Sequence, residues 1–427
     1  MLLGLPRRLA PSLSWAPART APLVRRHLAT TEPEDDKAAE RRAQELMKLS
    51  MQCQSRGDWT GALRNMITCV DCYRGRVHIN PEKFVLALNM LGNYYRNLDH
   101  YDEGYKAFQE AVAVSRALVP DLADNADQPV PQQELDGQKF VPLLAMSLSH
   151  MGTIQCQMCS FHAGIQTTLE GLGRHQHYLH SIKAGTHANQ LYLTTLHSLA
   201  SKLDIVGDYD RSTNMALECV AGFIMLESTK PGEFAADVGM AMHTASEGFF
   251  RMGQLDHANS MAVHALAQRT KVQKNAPEVN DTMDLLSEMF VVQGKTKEAL
   301  EMSLDALQSR RFMAAANPEL QNQLVCSLFV TANAQHALGQ TADVVASTKE
   351  AVELLLPILK QHPNIFYPAV KHLSTASARL QQAGIRDLAR SAATAALDIY
   401  TVLADRAPSS KNFAHALAEA RKVQPSS

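Results

Sequence analysis

A chain of 427 residues with 46% apolar and 20% charged residues and a formal charge of −2 has the make-up of a folded protein with a core of its own. No uninterrupted apolar run reaches the length of about 18 residues that a membrane-spanning helix needs. Seven cysteines, an odd number scattered along a long chain, argue against a secreted disulfide framework.

Residues 1–31 differ from everything after them. They carry Arg7, Arg8, Arg19, Arg25 and Arg26 but no Asp, Glu or Lys. Arg-rich, acid-free sequence with hydroxyls and apolar residues interspersed is the composition of a mitochondrial transit peptide, whereas Arg and Pro interrupt the apolar run a secretory signal requires. The segment "RRHLATT" resembles a mitochondrial processing site, and trimming is expected between Leu28 and Asp35. Residues 32–37 read as an acidic linker. Losing five Arg takes the formal charge from −2 to −7. An acidic body without a basic stripe is not expected to contact nucleic acid directly.

From residue 38 onward the chain is repetitive. The clearest unit, "LGNYYRNLDHYDEGYKAFQEA" at 91–111, sets Leu91, Gly92 and Tyr95 on one helix and Tyr101, Gly104, Phe108 and Ala111 on the next. The turn between them recurs as Gly57-Asp58, "VGDYD" at 206–210, "MGQLDHA" at 252–258, "QGKTKEA" at 293–299, "LGQTADV" at 338–344 and "AGIRDLA" at 383–389. Where two helices cross closely, only a small side chain fits. The crossing position of the first helix is Ser50, Gly92, Gly152, Ala200, Ser246, Ser287, Ala332 and Ser377. The second helix crosses at Ala62, Gly104, Gly164, Ser212, Ala258, Ala299, Val344 and Ala389, then at Cys69, Ala111, Gly171, Cys219, Ala265, Ala306, Ala351 and Ala396. Val344 alone is not small.

This pattern resembles the tetratricopeptide repeat (TPR). It predicts an all-α, right-handed α-solenoid of eight helix pairs: two in 38–118, a Pro/Asp/Gln-rich loop at 119–138, six more in 139–405, and a capping helix and tail at 406–427. Turns from position 57 to position 384 recur every ~47 residues, against ~34 in a minimal TPR. The long period resembles that of kinesin-light-chain repeats.

In TPR solenoids the first helices of the pairs line a concave surface that takes extended segments. Transferred to this chain, that resemblance implies a groove bearing Asn89, Asn93, Arg96, Asn97, His197, His243, Arg251, Asp284, Glu288, Asn333 and His336, with Asp204, Glu247 and Asp281 among them. Asn side chains bond both donors and acceptors of a peptide backbone. The Lys/Asn/Arg clamp of chaperone-binding TPRs is not reproduced; Lys371 alone holds a comparable place.

Catalytic signatures are missing: there is no Gly-rich phosphate loop, Gly-x-Ser-x-Gly elbow or His-Glu-x-x-His. No enzyme, cofactor or metal site is expected. The zinc-like spacing Cys156-x-x-Cys159-x-x-His162, near His175, His177 and His180, and the second pair Cys69/Cys72 compete with this reading. Repeat position explains them better: Cys69 and Cys219 sit in crossing slots, Cys159-Ser160 in the turn, and Cys156 is expected to face the groove. The expected function is a protein-interaction scaffold in the mitochondrial matrix or on the matrix face of the inner membrane. Its expected partners are subunits of a respiratory-chain or ATP-synthase complex, for which it serves as assembly factor or accessory subunit. The alternatives are a mitoribosome-associated adaptor and a metal or redox protein using the third unit.

Overall fold

The computed structural model describes residues 33–56, 58–119, 140–181, 186–273, 276–317, 320–363 and 365–423. Residues 1–31 and the expected loop at 119–138, save Val119, lie outside them. The described residues form seventeen α-helices and no strand. Sixteen make eight antiparallel pairs: α1 (Pro33–Ser55) with α2 (Trp59–Tyr73), α3 (Pro81–Asn97) with α4 (Tyr101–Leu118), α5 (Val141–Gln157) with α6 (Phe161–Ser181), and α7 (Thr186–Val206) with α8 (Tyr209–Thr229). The series continues with α9 (Ala235–Arg251) and α10 (Leu255–Val272), α11 (Pro277–Val292) and α12 (Thr296–Ala316), and α13 (Gln321–Ala337) and α14 (Thr341–Gln361). A 3₁₀ turn, Pro368–His372, leads into the last pair, α15 (Leu373–Gln382) and α16 (Arg386–Arg406), and α17 (Lys411–Lys422) ends the chain. Each helix packs on its partner and on the next pair, which is the arrangement of an α-solenoid.

All twenty-four crossing positions are buried. At four of them the small side chain does more than yield space. Ser50, Ser246, Ser287 and Ser377 each donate a hydrogen bond across the crossing to the carbonyl of Ala62, Ala258, Ala299 or Ala389, at 2.7–2.8 Å. In the third pair glycines replace this bond: a Cβ added at Gly164 would lie 2.5 Å from both the Gly152 carbonyl oxygen and Cys156 Sγ. Ser246→Ala should therefore keep the fold but lose about 1 kcal/mol, read as a lower urea midpoint.

The turns obey one geometry. Gly207, Gly253, Gly294, Gly339 and Gly384 take φ of 74–87°, where L side chains are disfavoured. In the second and third pairs Asp99 and Cys159 adopt the same left-handed conformation, with φ of 58° and 59°.

Two expectations need correction. Residues 33–37 are not a linker; they open α1. Acidic residues suit a helix N-terminus, and Asp36 there meets His78 Nε2 at 3.1 Å and Arg76 Nε at 3.4 Å. Nor does the last helix simply cover an open end. It turns back onto the third and fourth pairs: Ser410 Oγ donates to the Val206 carbonyl at 3.0 Å, and Asn412 Nδ2 to Tyr209 Oη at 2.6 Å. Arg406 Nη1 donates to the Met158 carbonyl, and the Phe366 amide to the Gln157 carbonyl. Phe161, Phe366 and Phe413 pack edge-on and tilted between these contacts, with centroids 5.1–6.2 Å apart. The solenoid thus closes on itself, and the "CQMCSF" turn is one lip of the seam.

Candidate functional site

Closure places the first helices of the middle pairs around an inner face. A cleft of about 370 Å³ opens there, lined by α9, α11, the start of α13, the 3₁₀ turn and one residue of α12. Its charged residues are Glu247, Asp281, Asp284, Glu288, Arg310 and Lys371, with the imidazoles of His243 and His372.

Arg310 organises one wall. Its side chain is 2% exposed, yet it comes from α12, a second helix. It sits four residues beyond the crossing residue Ala306, in a column filled elsewhere by Tyr73, Ser115, His175, Phe223, Leu355 and Tyr400, all buried. Arg310 Nη2 pairs with Asp281 and Nη1 donates to Gln323 Oε1 at 2.7 Å, while Nε stays 3.7 Å from Asp284 Oδ2. Arg269, in the same column of the fifth pair, donates to the Glu278 carbonyl and to Thr282 Oγ1. A charged residue in a core column was a signal present in the sequence, and it would have found both arginines.

Asp284 is the most deeply set acid. Burial pushes its carboxyl up to about 7, against the opposing pull of Arg310. Ser327 Oγ donates to Oδ2 at 2.6 Å, and Oδ1 is buried without a hydrogen-bond partner. Burial also raises Glu247 and, together with the Glu247 charge, Asp204. Glu288 goes the other way: burial lifts it, but Lys371 Nζ at 3.4 Å, with His372 and Arg251 beyond, outweighs that and leaves it low. Burial, then the charge of Arg269, pushes His243 down to about 3, and burial with Lys371 does the same to His372. Both imidazoles are neutral at pH 7. Burial holds the Cys326 thiol near 11, so it is not a thiolate.

Of the groove residues expected from sequence, the structure brings His243, Asp284 and Glu288 together in the cleft, with Arg251 close enough to act on Glu288 and Glu247. His197 stands one helix away, its Nε2 2.8 Å from Thr244 Oγ1. Asn89 is not on the surface. It is 2% exposed and donates to Ser147 Oγ at 2.8 Å, tying α3 to α5, because the two helices approach more closely than an open groove allows. Asn93, Arg96 and Asn97 belong to the other end of the inner face. There Arg96 neighbours Lys202, a buried ammonium lowered to about 8 that bonds Thr153 Oγ1 and Ser198. Asn333 and His336 do not line the cleft. The inner face thus holds Arg96 and Lys202 near one another towards the second to fourth pairs, and the cluster of cleft acids towards the fifth to seventh.

The cysteines follow the repeat. Cys69 and Cys219 lie in crossing slots and donate weakly to the Ala43 and Leu193 carbonyls. Cys156, expected to face the groove, instead turns inward over Gly164 and is 3% exposed. A glycine on the facing helix leaves room there that the sulfur fills. Burial raises Cys156 and Cys159 to about 11. Among the described residues no three His, Cys, Asp or Glu are grouped to hold a metal ion, and no helix is long and apolar enough to cross a membrane.

Residues 85–126 match the sequence profile of the tetratricopeptide repeat. No curated protein matches the chain. Among solved structures, a Rap protein complexed with Competence and Sporulation Factor is 12% identical, with 87% of this chain and 99% of that one covered and a TM-score of 0.49. BtubC (BKLC) from P. vanneervenii is 13% identical over 60% of this chain and 92% of its own, with a TM-score of 0.45. A kinesin-light-chain protein of Podosopora anserina with nearly identical TPR-like repeats is 17% identical over 50% of this chain and 95% of its own, with a TM-score of 0.36.

Proposed function

We propose that this chain, an α-solenoid of tetratricopeptide-type helix pairs, works without catalysis by holding segments of other proteins against its inner face. One observation carries the reading. First helices of successive pairs present polar groups to a shared cleft, and two of those groups, Asp284 Oδ1 and Asn322 Oδ1, are buried without a partner of their own. An unsatisfied buried acceptor costs roughly 1–3 kcal/mol, which a bound segment relieves. Protein interaction is what such a surface does; its setting is a finer proposal. The Arg-rich, acid-free residues 1–31 support import into mitochondria, and an acidic body supports protein rather than nucleic-acid partners. We place the chain as an assembly factor or accessory subunit of a respiratory-chain or ATP-synthase complex on the matrix side of the inner membrane.

The test has two arms. A fluorescent fusion of the whole chain should enter mitochondria, and the same fusion without residues 1–31 should stay outside. Affinity capture of the tagged chain from mitochondria, resolved by native electrophoresis, should show it migrating with a respiratory or ATP-synthase complex. Migration with ribosomal particles and none with those complexes would overturn this placement.

A further inference from the structure

We infer that the cleft between the fifth and eighth pairs is shaped to receive one cationic side chain, an arginine or lysine carried by an extended segment of the partner. The inference deepens the partner-holding reading and rests on it. Four carboxylates line the cleft against two fixed cations, because both imidazoles are neutral. The cations are already engaged: Arg310 with Asp281 and Gln323, and Lys371 with Glu288. Two carboxylates are left over. Among the described residues Glu247 is in no ion pair with a cation: its one ion-pair neighbour is the neutral His243 at 3.7 Å, while Arg251, Lys371 and Arg269 act on it from beyond pairing distance.

Asp284 is the sharper case. It is 7% exposed, its Oδ1 has no donor, and Arg310 approaches its other oxygen only to 3.7 Å. A second buried acceptor of the cleft, Asn322 Oδ1, is likewise without a donor. Unpartnered donors line the cleft too, Arg310 Nε and Tyr367 Oη among them. Charge therefore decides: acids outnumber cations, and a guanidinium or ammonium supplies positive charge together with donors for Asp284 Oδ1 and Asn322 Oδ1. An anion would meet an excess of acids over cations at close range, and burial, which lifts Asp284 to about 7, shows how little added negative charge the cleft tolerates. The volume, about 370 Å³, is at the low end of the ligand range of roughly 300–1,000 Å³, which suits a side chain rather than a helix. Because the cleft opens on the inner face along successive first helices, the segment that delivers the cation must lie extended.

Phage-displayed random 12-residue peptides panned against the intact chain at pH 7.5 provide the test. Selected peptides are synthesised and titrated calorimetrically on the wild type, on Asp284→Asn and on Glu247→Gln, each checked for native circular dichroism. The expected result is a shared Arg or Lys whose replacement by Gln weakens binding at least tenfold on the wild type. On Asp284→Asn that replacement should matter less than twofold. Should Asp284→Asn not fold, Glu247→Gln supplies the comparison, with the Gln penalty reduced to about threefold or less. Peptides that bind without a cation, or whose Gln penalty is the same on every variant, overturn the inference and leave the scaffold reading standing. If no peptide is enriched, both fall.

Discussion

Phe161→Ala is expected to destabilise the chain by about 3–5 kcal/mol, the range for deleting a buried aromatic side chain. The ring is 1% exposed and serves two structures at once. It opens α6 in the third pair, and it holds Phe366 and Phe413 across the seam at 5.9 and 5.1 Å. Phe413→Ala removes the other side of the same contact. Since the two rings touch, their costs should not add, and the double variant should fall short of the sum by at least about 0.5 kcal/mol. Urea denaturation of the four proteins gives the coupling directly. Limited trypsin digestion supplies a local reading, because Arg406 is tied to the Met158 carbonyl and Lys411 opens α17. Both sites should be cut faster in either variant. Additive costs, or a loss under about 1 kcal/mol for Phe161→Ala, would show that the seam contributes little to stability.

Acidification from pH 6.5 to pH 5 should cost about 3 kcal/mol more, for a reason confined to titration. Burial pushes His150, His243 and His372 down to about 3 and His197 to about 4. Unfolded, each binds its proton near pH 6.5. The unfolded chain thus takes up protons first, and stability present above pH 6.5 is lost as pH falls towards 3. Buried carboxyls oppose this. Asp284, lifted to about 7, and Asp204, also raised, are protonated in the folded state first, so acid relieves their burial. Four imidazoles against two carboxyls leave about two net protons, each worth roughly 1.4 kcal/mol per pH unit. Partial exposure of the imidazoles, and the upward pull of burial on Glu247, Glu218 and Asp237, trim that sum. Urea midpoints at pH 7, 6 and 5 should fall in that order. Asp284→Asn should steepen the fall, since it deletes one of the opposing groups. A midpoint that rises on acidification would mean the carboxyls outweigh the histidines.

How much of this was legible in sequence depended on how local the cause was. The crossing positions could be read because each is a steric demand between adjacent helices, and Ser246 or Gly164 answers it by size alone. Turns were legible for the same reason, even where Cys159 stands in for glycine. The cleft was only half legible. His243, Asp284 and Glu288 follow from helical register on first helices, but Arg310 comes from a second helix, whose residues the groove reading did not consider. Asn89 failed because register says which way a residue points and not how near the neighbouring helix lies. The seam was not legible at all. Its contacts join residues about two hundred positions apart, such as Val206 with Ser410, and nothing in a periodic pattern records how far the solenoid curves.

Closure also sets how many repeats this protein can have. An open solenoid can gain or lose a helix pair and simply become longer or shorter, since each pair touches only its neighbours. Here the pairs between the two lips must together carry the chain round, and only their total brings Phe413 onto Phe161 and Asn412 onto Tyr209. Insert or delete one pair between the fourth and the eighth, and α17 arrives at the wrong place in space. The seam therefore acts as a gauge of length, tying the repeat count to a single ring geometry and to the width of the cleft inside it.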